Sequence, residues 1–147
     1  MKNKIYTIGF SKKSAQKFFS LLAQTTANKL IDIRLNNASQ LAGFTKSKDL
    51  AFFLEKILNW KYVYNPLLAP TKNLLHNYQK KEITWNDYEI EYLRIIEQRS
   101  ILNIIKENEI INGVLLCSED RPEQCHRRLL AEYLKRNWEN IEIIHLF

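Results

Sequence analysis

The segment Ile111-Asn-Gly-Val-Leu-Leu-Cys117 closes on four consecutive apolar residues, and a strand of that pattern hides both of its faces. It needs helices above and below it, a condition met by a mainly parallel sheet and not by a one-sided antiparallel one. The flanking patterns agree. Lys4–Ile8, Lys29–Ile33, Lys61–Tyr64 and Ile141–Leu146 are short and rich in β-branched and aromatic residues, so each is expected to form a strand. Between them lie stretches whose apolar residues recur at helical spacing. One opens at Ser11–Ser14 and carries Phe18, Phe19, Leu21 and Leu22; another spans Lys48–Asn59. Thr71 is placed to cap a short helix reaching Gln79, and Thr84 with Asp87 forms a capping box before a helix running to Asn108. Pro122 suits the first turn of a last helix that reaches Arg136. The order β-α-β-α-β-(α)-α-β-α-β predicts an α/β fold of three layers, a mainly parallel sheet with helices on both faces.

A chain of 147 residues with 46% hydrophobic and 26% charged residues has the composition of one globular domain, expected to cover residues 1–147. No apolar run approaches the roughly 18 residues that cross a bilayer. The opening Met1–Ile8 is too short and too β-like for a signal peptide. A cytoplasmic location without a membrane partner is therefore expected, and two cysteines are fewer than a secreted disulfide framework carries. They remain able to form a regulatory disulfide or to bind a metal. The net charge of +6, from 22 Lys and Arg against 16 Asp and Glu, adds a general attraction to phosphate polyanions.

In open parallel sheets, ligands bind beyond the carboxyl ends of the strands. Those ends deliver Gly9 and Phe10, then Asp32 and Arg34, then Cys117, Ser118 and Glu119. The segment Cys117-Ser-Glu-Asp-Arg-Pro-Glu-Gln-Cys-His-Arg-Arg128 is the densest group of reactive side chains in the chain. With a helix starting near Pro122, Cys125, His126 and Arg127 fall within a turn of its N-terminus, where free N–H groups favour an anion and stabilise a thiolate. The candidate catalytic residues are Cys117, Glu119 and His126; the candidate binding residues are Gly9, Asp32, Arg34, Cys125, Arg127 and Arg128. Each also has a packing role open to it. Cys117 and Cys125 equally fit as small buried hydrophobes, His126 as a satisfied core imidazole, and Arg127 and Arg128 as a solvated helix flank. Their co-location favours the functional reading.

Known templates exclude some chemistry. A Cys-based phosphatase loop needs Arg six positions after the cysteine, where this chain has Glu123. With three glycines, neither the P-loop nor the dinucleotide fingerprint exists. A structural zinc site takes about four ligands; Cys117, Cys125 and His126 make three, and His76 or His145 would have to supply another. No metal and no cofactor are assigned on that basis. Tyr62, Tyr64 and Trp85, with Lys46, Lys48, Lys72, Lys80 and Lys81, offer a nucleic-acid surface or, at the aromatic positions, ordinary core.

Tyr6-Thr-Ile-Gly9, Asp32-Ile-Arg34, Ser39-Gln-Leu-Ala-Gly-Phe44, Leu116-Cys-Ser-Glu119, Pro122 and Cys125-His-Arg-Arg128, with Leu68-Ala-Pro-Thr71 and Trp85, together resemble the domain of unknown function 488 family. The resemblance implies a prokaryotic family of α/β proteins whose polar pocket is built from these motifs. Many members carry His where this chain has Phe10, and a Pro-containing stretch in place of Leu35–Ser39.

The first functional expectation is an enzyme acting on a phosphate-bearing substrate, a nucleotide or nucleic acid. Arg34 and Arg127 would hold the phosphate, and Glu119 with His126 would move the proton. The second is a non-catalytic module that binds nucleic acid or another small anionic ligand, and the third is thiol chemistry through Cys117 and Cys125.

Overall fold

The computed structural model describes residues 2–37 and 43–147; within the Ser39–Phe44 motif, residues 39–42 lie outside the described residues. Five strands, β1 (Asn3–Gly9), β2 (Lys29–Asp32), β3 (Lys61–Tyr64), β4 (Gly113–Cys117) and β5 (Ile141–Leu146), form one sheet. Its order is β3-β2-β4-β1-β5, and every pairing is parallel. β4 sits at the centre with all five residues buried, which is why its sequence shows no polar alternation.

Side chains alternate between two cores. Tyr6, Ile8, Leu30, Val114 and Leu116 face α1 (Ala15–Ala23) and α2 (Ser47–Phe53). Ile5, Ile31, Ile33 and Leu115 face α3 (Lys72–Gln79), α4 (Trp85–Gln98), α5 (Ile101–Ile104), α6 (Glu107–Ile110) and α7 (His126–Asn137). The three-layer α/β architecture follows from that alternation. No helix of the described residues is long and apolar enough to cross a membrane.

Local chemistry sets most boundaries. Ser14 caps α1 through the Lys17 amide, Thr71 caps α3 through the Leu74 amide, and Thr84 with Asp87 closes the expected capping box on α4. The helix expected from residue 84 to Asn108 is broken into α4, α5 and α6. Ser100 adopts a left-handed φ of 54°, and Ile105 and Lys106 are extended. The breaks bring Ile101, Ile105 and Ile110 all into the core, which a straight helix cannot do for residues five positions apart. Past Phe53, α2 widens into a π-helical turn over Leu54–Leu58 and stops at left-handed Asn59. The last helix begins at His126, four residues beyond Pro122, with Cys125 as its N-cap; residues 118–125 form an irregular loop instead.

The path of the chain explains where a site can form. From β1 it runs over one face through α1 to β2 and β3, then returns through β4, whose connection α7 crosses the opposite face to β5. At the paired carboxyl ends of β1 and β4 the two connections part. There Gly9 lies opposite Cys117, and a β-carbon at Gly9 would fall on the Glu119 carbonyl and 2.8 Å from Arg127 Nη1. Gly9 is thus required by the close approach of the loop. Gly9→Ala is expected to cost about 1–3 kcal/mol by overpacking, read as a lower urea midpoint at unchanged m-value.

Candidate functional site

A cavity of about 680 Å³ lies at the carboxyl ends of β2 and β4. Its floor is Arg34, Cys117, Ser118, Glu119, Cys125 and His126; its far wall is Leu75, Tyr78, Trp85 and Tyr88 from α3 and α4. The fold therefore brings Arg34, Cys117, Glu119, Cys125 and His126 to one cavity. Glu119 is the exposed member, and the other four are buried.

The two arginines assigned to anion binding have different fates. Arg127 is fully buried and its donors are spent inside the protein. Nη1 donates to the Glu119 carbonyl and to Cys117 Sγ at 3.2 Å, Nη2 to the Asp120 carbonyl at 3.2 Å, and Nε to Thr7 Oγ1 at 3.3 Å. Burial pushes its pKa down to about 10, against the opposing pull of Glu119, Asp120 and Glu123, so it stays cationic at neutral pH. Arg34 forks onto Asp32 through Nε and Nη2 at 2.9 and 2.8 Å, and Nη2 also reaches the Thr45 carbonyl at 2.7 Å. Its guanidinium lies 5.5 Å from the Phe10 ring centroid. Among the described residues Nη1 is buried with no hydrogen-bond partner, and Arg34 lines the cavity.

Asp32 is a positioning group. Besides Arg34 it accepts the Tyr62 hydroxyl at 2.6 Å, and burial followed by this hydrogen bond raises the Tyr62 pKa. Arg128 points elsewhere, bonded to Glu132 and the Glu123 carbonyl and paired with Glu89 at 3.6 Å. Gly9 serves the packing described above.

His126 Nε2 lies 2.7 Å from the Ile33 carbonyl. A carbonyl can only accept, so Nε2 carries the proton and Nδ1 has the lone pair. Burial lowers the His126 pKa to about 4, with the Ile33 hydrogen bond opposing and Arg127 reinforcing the drop. The imidazole is neutral at neutral pH. Cys117 and Cys125 are joined through their sulfurs, with Cα atoms 7.4 Å apart. One ligand atom each from Cys117, Cys125 and His126 lies within 4.8 Å of the others, the group of the described residues best placed to hold a metal. His145 and His76 are not in that group: His145 Nδ1 pairs with Thr7 Oγ1 at 2.6 Å, and His76 is exposed on α3.

The aromatic wall was concealed in the sequence by its spacing. Trp85, Tyr88 and Tyr92 recur like core positions of an amphipathic helix, yet Trp85 and Tyr88 face the cavity. Trp85 stacks on Tyr88 at 5.0 Å and 16°, Tyr88 on Tyr92 at 6.3 Å, and Tyr92 meets the His126 ring at 5.5 Å. Lys13 was also missed: it is buried and bonds Asp120 at 2.7 Å, anchoring the loop. An exposed-looking Lys-Lys pair gives no signal of such a role. Of the residues considered as a nucleic-acid surface, Tyr62 bonds Asp32, Tyr64 lies on the β3 edge, and Trp85 and Lys81 line the cavity.

Because the folded-state pKa of His126 lies below its unfolded value of about 6.5, the unfolded chain binds the extra proton between these values. Stability should be full above pH 6.5 and fall by on the order of 3 kcal/mol as pH drops toward 4. Urea unfolding across this range in chelator checks it, and His126→Gln should flatten the slope.

The model for the domain of unknown function DUF488 matches residues 14–134, a span that takes in every candidate site residue except Gly9. No curated protein and no solved structure matches the chain. The chain belongs to the DUF488 family.

Proposed function

We propose that the cavity binds a phosphate-bearing ligand that also carries an aromatic ring, a nucleotide or a nucleotide end of a nucleic acid, and that the protein is an enzyme acting on it. The observation that carries this reading is Arg34 Nη1, buried, charged and, among the described residues, without a partner at the cavity lining. A buried donor left unpaired costs about 1–3 kcal/mol, a cost that an anion accepting from it would relieve. Asp32 fixes the other side of the guanidinium, so the free edge is preorganised. Trp85 and Tyr88 offer stacked rings for a base, and Lys81 adds a cation at the same cavity. Glu119 is the group placed to move a proton. A non-catalytic module binding the same ligand is favoured by a different observation, that Arg127 and His126 are both engaged within the protein.

The test is titration with nucleoside mono- and diphosphates at low salt, read by Trp fluorescence and calorimetry. Wild type should bind them more tightly than the parent nucleosides. Arg34→Lys, which keeps a cation beside Asp32, should lose about 10-fold or more for the phosphates alone. Trp85→Leu should lose about 5–100-fold for phosphates and nucleosides alike. Equal binding of nucleosides and their phosphates, or affinity untouched in both variants, overturns the reading. With a bound ligand identified, turnover that survives Glu119→Gln removes the proton-transfer role, and no turnover by wild type leaves the binding module.

A further inference from the structure

We propose that the reduced protein binds a thiophilic divalent cation such as Zn²⁺ through Cys117 Sγ, Cys125 Sγ and His126 Nδ1, with its fourth coordination position open to the cavity. One sulfur from each cysteine and a ring nitrogen of His126 already lie within 4.8 Å of one another. A tetrahedral ion with metal–sulfur bonds of about 2.3 Å and metal–nitrogen bonds of about 2.0 Å needs such atoms just under about 4 Å apart, so the two sulfurs, bonded to each other in the structure, must part on reduction to admit it. The cysteine Cα atoms stand 7.4 Å apart, wider than the roughly 4.4–6.8 Å that disulfides usually span. An ion between two sulfurs suits the wider spacing.

The surroundings have the form of a metal's outer shell. The Ile33 carbonyl accepts from His126 Nε2 at 2.7 Å, which fixes the tautomer that leaves Nδ1 able to ligate. Arg127 Nη1 donates to Cys117 Sγ at 3.2 Å. Arg127 is fully buried and, among the described residues, no carboxylate forms an ion pair with it; a Cys117 thiolate supplies the missing negative charge. Cys125 is the N-cap of the twelve-residue α7 and makes no side-chain capping bond, so the positive helix end likewise favours its thiolate. All three residues line the cavity. Three protein ligands with a fourth position facing a cavity is the arrangement of reactive rather than structural zinc.

Access to this state is a balanced exchange. A phosphine breaks the Cys117–Cys125 bond, both sulfurs leave as thiols with protons from water, and the phosphine takes the water oxygen to become its oxide. Binding of the cation then releases the two thiol protons. None of these steps uses Arg34, so the metal site and the anion site stand or fall separately.

The experiment titrates phosphine-reduced, chelator-stripped protein anaerobically with Co²⁺, then displaces it with Zn²⁺ against a chromophoric chelator. One Co²⁺ per chain is expected, with tetrahedral d–d bands and charge-transfer intensity for two thiolates. Cys117→Ser and Cys125→Ser should each weaken binding on the order of 100-fold or more. His126→Gln should weaken it less while retaining both thiolate bands, and His76→Gln should leave it unchanged. Absence of thiolate bands in the reduced wild type overturns the proposal without reliance on any variant. Undiminished binding by Cys125→Ser overturns it as well.

Discussion

The loop between β4 and α7 depends on one buried cation. Residues 118–125 have no regular secondary structure, so their polar backbone groups need partners from elsewhere. Arg127, on the first turn of the helix that follows, reaches back to the carbonyls of Glu119 and Asp120 and to the sulfur of Cys117. Lys13 closes the outer side through Asp120, and the missing side chain of Gly9 admits the loop against β1. A guanidinium is suited to this because its donors diverge in a plane and remain charged even when burial depresses the pKa.

Arg34 is the counterpart with a different allocation of donors. Both arginines are almost completely buried, and burial of either would be costly without partners. Arg127 spreads its donors over carbonyls, a hydroxyl and a sulfur, whereas Arg34 concentrates its own on Asp32 and the Thr45 carbonyl and leaves Nη1 over. The chemical identity of the residue is the same; its geometry decides whether it builds the cavity or faces it. Phe10 contributes to that geometry by covering the guanidinium face.

Strand periodicity made the sheet legible: β3 and β5 coincide with the expected Lys61–Tyr64 and Ile141–Leu146, and β4 starts two residues late because Asn112 turns left-handed with φ 65°. The gathering of Cys117, Glu119, Cys125 and His126 was legible too, since all four follow the end of one strand in a single short segment. Three things were hidden because they are tertiary. The α4–α6 breaks answer to the burial of Ile105 and Ile110, which outweighs local helix propensity. The delayed start of α7 answers to Arg127 holding the loop. The cavity wall of Trp85 and Tyr88 shares the spacing of core residues, and only the packing of α3 and α4 beside the strand ends turns those rings toward a ligand.

The cavity combines two kinds of donor. Along Arg34 and Lys81 it offers hard, cationic N–H groups that suit phosphate oxygens; along Cys117, Cys125 and His126 it offers sulfur and imidazole, which suit soft or borderline cations. These chemistries occupy different elements, Arg34 following β2 and the sulfur-imidazole group joining β4 to α7. They are mechanically joined at one point, the hydrogen bond from His126 to Ile33, the residue preceding Arg34.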